Sequence, residues 1–345
     1  MLLHVSLLFL FTSITYSLPN CDDCVKSGSI WCMESQQCNK TTSVSCPTPI
    51  SLPLNCPSVP AFAYDDPFMR TTQMTLASAV HNDNPQLCFN NQLPTMKLYK
   101  LRNVNCSNFF PDVNCTGYTA FDLTQKVIVM SFRGAHGQNQ LDEIQKGFET
   151  YGLRSYFNGN GKIFKVMYDF FMLLWNGGMS QDLRQLKYKY PDFELWITGH
   201  SLGATLSYTA SAYLATIGLY KPEQMKINVL AAGRMGDYAF ADWYTKTFPQ
   251  AYHIVHRRDV NTRYPPVDPH TNTTVLFHPK TEVWYNNYMR VGEPYHVCQQ
   301  ADGNYCSEAI NTNLTLDDHI YYFNINIHSW SADGCPKNIS AYAQP

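Results

Sequence analysis

Residues 194–203, Glu194-Leu-Trp-Ile-Thr-Gly-His-Ser-Leu-Gly203, decide the fold. The first half is a short apolar run of the length of a buried strand. The residues after it, 202–219, are rich in Ala, Leu and Tyr and read as a helix. Between the two lies Gly-x-Ser-x-Gly. A serine on so tight a strand-to-helix turn brings neighbouring backbone too close for any side chain larger than hydrogen at the flanking positions. The turn lifts the hydroxyl clear of the sheet and sets it at a helix N-terminus, where the dipole and free N–H groups favour negative charge. The pentapeptide alone arises by chance in roughly one chain in ten of this length, so the strand before it and the helix after it carry the reading.

Outward from this turn, strand-like and helix-like segments alternate, which predicts a largely parallel sheet flanked by helices. Residues 126–131, 193–198 and 227–231 read as buried strands, with Ala251–His256 and Glu282–Tyr285 nearer the far edge. A turn serine needs a base and an orienting acid, which in this fold class follow in the order Ser, Asp, His. Asp259 ends one of the strand-like segments, and His319 sits in Asp317-Asp-His-Ile-Tyr-Tyr322. Asp318 is a poor acid for His319, because adjacent side chains diverge. Arg133 reads as structural, bonding carbonyls beneath the neighbouring loop, and His253, His256 and His278 as packed or surface histidines.

The remaining sequence bounds the setting. A hydrophobic fraction of 45% with 15% charged residues describes a globular chain. A net charge of −2 without Lys/Arg runs gives no reason to expect nucleic acid. Residues 1–17 carry an apolar stretch too short to span a bilayer, with small residues Thr15 and Ser17 at a cleavage-like position, and predict a secretory signal peptide. All 12 cysteines follow it, at an even number that predicts disulfides. Cys106–Cys115 and Cys298–Cys306 are the preferred local pairs because both close short loops. Zinc at Cys21-x-x-Cys24 is the alternative, weakened by the lack of a second such pair. Sequons at Asn39, Asn105, Asn114, Asn272, Asn313 and Asn338 permit glycosylation. The expected organisation is a signal peptide (1–17), a cysteine-rich module (18–57), a main domain (58–335) and a C-terminal tail (336–345).

From about residue 63 to 323 the sequence resembles the class 3, or fungal-type, triacylglycerol lipase family, in its nematode-like secreted branch. The anchors are Val129-Met-Ser-Phe-Arg-Gly134, the 194–203 segment, Gly233-Arg-Met-Gly236, His256-Arg-Arg-Asp259, Glu282-Val-Trp-Tyr285 and Asp318-His-Ile-Tyr-Tyr322. The resemblance implies an α/β-hydrolase fold, a Ser201–Asp259–His319 triad, and oxyanion donors on Ala135 and Leu202. It implies a lipid or small ester substrate, transient contact with lipid interfaces, and no metal or organic cofactor. The chain departs from the family pattern at Ala135, where Ser or Thr is usual, at Ala231 and Gly233, and at Asn261-Thr262. The last two departures bear on the loop holding Asp259. Segment 138–150 has Leu141, Ile144 and Phe148 at helical spacing, with Asp142, Glu143, Gln145, Lys146 and Glu149 opposite. It stands where related lipases carry a mobile lid, and Gly147 would loosen such a helix. A fixed surface helix with this stripe in the core is the other reading. The N-terminal cysteines weakly resemble a plexin–semaphorin–integrin module, though the usual cysteine before Trp31-Cys32 is missing. A carboxylesterase or feruloyl-type esterase, or a non-catalytic binding protein on the same scaffold, are the alternative functions.

Overall fold

The computed structural model describes residues 20–40, 46–265, 276–302 and 306–345. The expected signal peptide and Asn272 lie outside the described residues. The chain divides into two units, residues 1–56 and 57–345.

In the smaller unit, a short helix Cys21–Lys26 accompanies a three-stranded sheet of Ile30–Cys32, Gln37–Asn39 and Pro49–Ile50. Few apolar side chains are available, so disulfides Cys21–Cys56, Cys24–Cys38 and Cys32–Cys46 hold it. Cys21 and Cys24 are thus taken by separate disulfides, which removes the zinc alternative.

The larger unit is built on eight strands: β1 Lys97–Asn105, β2 Asn114–Asp122, β3 Val127–Phe132, β4 Glu194–His200, β5 Met225–Leu230, β6 Ala251–His256, β7 Glu282–Tyr285 and β8 His296–Val297. Their order in the sheet follows the sequence. From β3 to β7 neighbours are parallel, and β1, β2 and β8 are antiparallel additions at the edges. Both faces are covered. In β3, Ile128, Met130 and Phe132 enter one core with helices α3 Gln138–Tyr151, α4 Lys165–Leu174, α5 Ser180–Lys189, α6 Leu202–Thr216 and α7 Tyr238–Thr247. Val127 and Val129 point the other way, into a core with α1 Met74–Ala79, α2 Gln86–Gln92 and α9 Ile327–Ala332. Strands buried on both faces read as continuous apolar runs.

Cys88–Cys335 ties α2 to the segment after α9, Cys106–Cys115 closes the loop of the β1–β2 hairpin, and Cys298 bonds Cys306. Residues 336–345, expected as a tail, dock on this unit: Pro336 accepts from Trp330, Asp333 from Tyr342, and Asn324 from the Gln344 backbone. Asn105 and Asn114 sit opposite each other on β1 and β2, and with Asn313 and Asn338 they are exposed, while Asn39 is half-buried.

Helix α3 corrects two expectations. Its buried stripe is Gln140, Glu143, Ile144 and Gly147, one position round from the expected one. Glu143, expected in solvent, is fully buried because its carboxylate accepts the backbone N–H groups of Asn108, Phe109 and Phe110 at 2.6, 2.9 and 3.0 Å. Gly147 does not loosen the helix; it lets α4 approach. A Cβ there would stand 2.6 Å from Val166 Cγ2 and 2.7 Å from its Cβ. Phe148 stacks on Phe164 with centroids 3.9 Å apart.

Candidate active site

Ser201 follows β4 and precedes α6 with φ 59° and ψ −124°, a left-handed conformation that costs a non-glycine residue of order 1–3 kcal/mol. The surroundings hold it there: its N–H donates to Leu230 O at 3.0 Å, fixing the turn to β5. The two flanking glycines are enforced by backbone. A Cβ on Gly199 would meet Gly203 O at 2.4 Å, and one on Gly203 would meet Phe132 O at 2.0 Å.

Asp259 lies just beyond β6. Its segment pairs in parallel with Thr315, through Val260 N–H to Thr315 O and Thr315 N–H to Arg258 O. That pairing delivers the short helix α8, Asp317–Ile320, to the same place. His319 Nδ1 stands 2.9 Å from Asp259 Oδ1, and Nε2 stands 2.9 Å from Ser201 Oγ. Asp259 is fully buried, and its oxygens also accept from the Asn261 N–H at 2.8 Å and the Tyr322 hydroxyl at 2.7 Å. Burial, followed by the Asp259 charge and hydrogen bond, pushes the Tyr322 hydroxyl well above its ordinary range, so it stays a donor. Asp318 points away from the imidazole: its carboxylate accepts the Arg258 N–H and lies 3.7 Å from Arg257.

Apart from Ala135, the residues that depart from the family pattern lie together around the acid loop. Asn261 donates its side-chain amide to Ala231 O at 2.6 Å while its N–H holds Asp259. Gly233 has no room for a Cβ, which would sit 2.8 Å from Tyr264 O and 3.4 Å from Asn261 O. Thr262 Oγ1 donates to Asp259 O and accepts from Arg263. Behind them Arg234 binds Asp302, Glu308 and the carbonyls of Arg263 and Pro265. The departures thus brace the acid loop instead of displacing it. Neither Tyr322 nor Asn261 was singled out from sequence as a partner of Asp259. The spacing Asp318-His-Ile-Tyr-Tyr322 held the only signal for the tyrosine.

A cavity of about 400 Å³ opens over Ser201 and His319, with Ala135 and Leu202 in its wall. Its apolar lining includes Leu141, Ile144, Phe148, Met167, Val260 and Leu316, and the other polar contributors include Gln145, Thr205 and Asn261. So Leu141 and Phe148 line the site although they lie off the helix's buried stripe, beside Ile144, which belongs to it. Arg133 bonds Asn114 O, as expected of a structural arginine. His253, His256 and His278 are buried, with His278 on Asp302.

This fold and site define a serine-hydrolase type of α/β protein. A family model described as Lipase (class 3) matches residues 129–268. An uncharacterized protein of Caenorhabditis elegans is 45% identical over 258 residues, covering 74% of this chain and 93% of that protein. A lipase of the same organism is 25% identical over 257 residues, covering 67% of this chain and 71% of its own length. The structure of the Rhizomucor miehei triacylglyceride lipase superposes with a TM-score of 0.62 at 22% identity, over 77% of this chain and 97% of that one. The chain belongs to the class 3 lipase family, with the α/β-hydrolase fold and the carboxylic ester hydrolase class that go with it.

Proposed function

We propose that the chain is a secreted lipase that cleaves acylglycerol esters through Ser201, His319 and Asp259. The observation that carries this is the unbroken Ser201–His319–Asp259 hydrogen-bond line at the floor of a mostly apolar cavity. His319 Nε2 takes the Ser201 proton as Oγ attacks the ester carbonyl, and Asp259 fixes the tautomer and stabilises the imidazolium. The N–H groups of Ala135 and Leu202 receive the oxyanion. His319 then protonates the leaving alcohol, and water, deprotonated by the same ring, releases the fatty acid from Ser201.

The apolar wall of α3 holds the acyl chain. The Glu143 and Gly147 contacts oppose a swing of the whole helix, so α3 acts as a fixed wall in place of a lid. Half-exposed Leu141, with Leu316 at 64% and Val260 at 37% exposure, forms the lip that meets a lipid surface. Secretion, a cleaved segment 1–17 and glycosylation at exposed sequons are part of the same reading. Six disulfides support it, since they persist in oxidising compartments.

The test is acid release from a chain-length series of glycerides by the purified chain. Ser201→Ala abolishes turnover with the melting temperature unchanged, and Asp259→Asn lowers kcat by on the order of 10⁴. Near-normal turnover by either variant rules the assignment out.

A further inference from the structure

Asn228 stands in the middle of the central strand β5, where an amide is out of place. Its backbone carbonyl accepts from Thr198 Oγ1 at 2.7 Å. Among the described residues its side-chain amide makes no hydrogen bond, although the residue is only 3% exposed. Buried polar groups without partners are rare enough to need a reason. Alternation along β5 shows where the amide goes. Met225, Ile227 and Val229 enter the core shared with α6, whereas Lys226 and Asn228 face the other side of the sheet. There they line a cavity of about 230 Å³, together with Gln250 and Tyr252 and the segment 62–69 that leads toward α1. Among the described residues, it shares no lining residue with the catalytic cavity.

The lining suits a small ring that carries hydroxyl groups. Its volume lies below the roughly 300–1,000 Å³ of pockets for drug-sized ligands, which leaves room for one ring and not for a long acyl chain. Tyr64, Phe68 and Tyr252 form aromatic walls, with the two tyrosines edge-on at 5.4 Å between centroids. Both tyrosine hydroxyls are taken, Tyr252 by Phe62 O and Tyr64 by Tyr285, so these residues offer rings. Lys226 Nζ lies over Phe68 at 5.1 Å and Trp196 at 5.4 Å, and among the described residues it has no hydrogen bond or ion pair. Its N–H groups are donors in waiting. Asp65 Oδ1 caps the Phe68 N–H at 3.0 Å, which leaves Oδ2 to accept, and Gln250 gives its Nε2 to Glu223 O and keeps Oε1. Donors and acceptors interleaved in this way match hydroxyls, each of which does both. A carboxylate ligand would gain Lys226 but meet Asp65, and an apolar ligand would leave the Asn228 amide unanswered. Asn228 lies opposite Tyr252 in the register, and Lys226 is two residues back on the same face. Lysine, amide and tyrosine ring therefore share a patch of about 7 by 5 Å, the footprint of one six-membered sugar ring.

We propose that this cavity binds a single pyranose, free or at the end of a glycan, with Asn228 and Lys226 bonding its hydroxyls and an aromatic wall against its C–H face. The cavity lies along the first halves of β5 and β6, whereas Ser201 follows the C-terminal end of β4. A bound sugar therefore leaves the ester cavity free, and the binding does not depend on the ester-hydrolase reading.

The probes are glucose, galactose, mannose and N-acetylglucosamine, added to the intact, disulfide-bonded chain and read by saturation-transfer NMR and calorimetry. Mannitol, with hydroxyls but no ring, and benzoate, with a ring and a carboxylate but no hydroxyls, are the controls. The expected result is one pyranose per chain, bound more tightly than either control and bound equally by Ser201→Ala. Asn228→Val weakens binding about 10-fold, the worth of one hydrogen bond to a buried group. Its melting temperature does not fall, since no hydrogen bond within the protein is lost, and its hydrolysis is unchanged. Lys226→Met keeps the stem over the rings and also weakens binding about 10-fold. Methyl glycosides separate the two sources: a sugar that binds as its methyl glycoside is read at the end of a glycan, and one that needs its anomeric hydroxyl is read free. Failure of all these sugars to bind overturns the site and leaves water as the partner of Asn228. Binding retained by both variants overturns it as well. Benzoate bound in place of sugar, and lost with Lys226→Met, makes the cavity a carboxylate site and overturns the pyranose.

Discussion

Replacing Gly147 with alanine decides whether α3 is a loosely held cover or a fixed wall. On helix propensity alone the change stabilises by about 1 kcal/mol. The structure reverses that sign. The new Cβ would lie 2.6, 2.7 and 3.2 Å from Val166 Cγ2, Cβ and Cγ1, where carbons normally rest about 3.5–4.0 Å apart. Val166 is fully buried in α4 and cannot turn aside, since a β-branched residue in a helix has one favoured rotamer. Relief requires the helices to part by about 1 Å, and such overpacking costs roughly 1–3 kcal/mol. The net is a loss of up to about 2 kcal/mol, or about 4 °C in a unit of this size. Melting of four proteins measures it: wild type, Gly147→Ala, Val166→Ala and the double variant. Val166→Ala loses buried methyls, but in the double variant the two defects offset, giving a coupling of about 1–2 kcal/mol. A melting temperature raised by Gly147→Ala, with additive effects in the cycle, refutes the close packing and restores a detachable helix.

Three further outcomes follow from the same geometry. Leu141→Ser with Phe148→Ser lowers hydrolysis of emulsified long-chain glyceride and of a soluble short ester alike, and lowers the melting temperature; a loss confined to the emulsion indicates a moving lid. Asn261→Ala removes the link to Ala231, costing about 1 kcal/mol of stability and reducing kcat more than KM as the Asp259 loop relaxes; unchanged kcat refutes the bracing role. Acid weakens the fold: burial keeps His200 and His253 neutral when folded, with pKa values well below the usual 6.5. The unfolded chain therefore binds protons first, and stability falls as pH drops below about 6.5, by roughly 3 kcal/mol per pH unit for the pair. Glu282, raised by burial, acts in the opposite sense at lower pH. A urea midpoint that stays flat between pH 7 and 5 contradicts the two neutral histidines.

Where burial is two-sided, the strands were legible: β6 and β7 have the expected ends, and those of β3, β4 and β5 fall within two residues of the expected ones. The β1–β2 hairpin was not. Edge strand β1 alternates half-exposed and exposed residues without a clean apolar face, and β2 carries Asn114, Gly117 and Asp122, poor strand formers that pairing on both sides holds extended. Ser201, Asp259 and His319 could be named because the turn motif, the chain order and the resemblance to the family point to the same three residues. Glu143 could not, because the three N–H groups that make its burial tolerable come from a loop more than 30 residues away.

The contact between Asn261, Ala231 and Gly233 also has an evolutionary reading. Each of the three looks like a lapse from the family pattern, yet the side chain of one bonds the backbone of another, and the third survives only because it lacks a Cβ. Restoring a side chain at 233 alone would set its Cβ 2.8 Å from Tyr264 O while Asn261 still occupies its place. The three positions therefore depend on one another, and exchanging one alone is expected to cost stability. Grafting loops between this protein and its fungal relatives will succeed only when residues 231–236 and 259–265 are exchanged together.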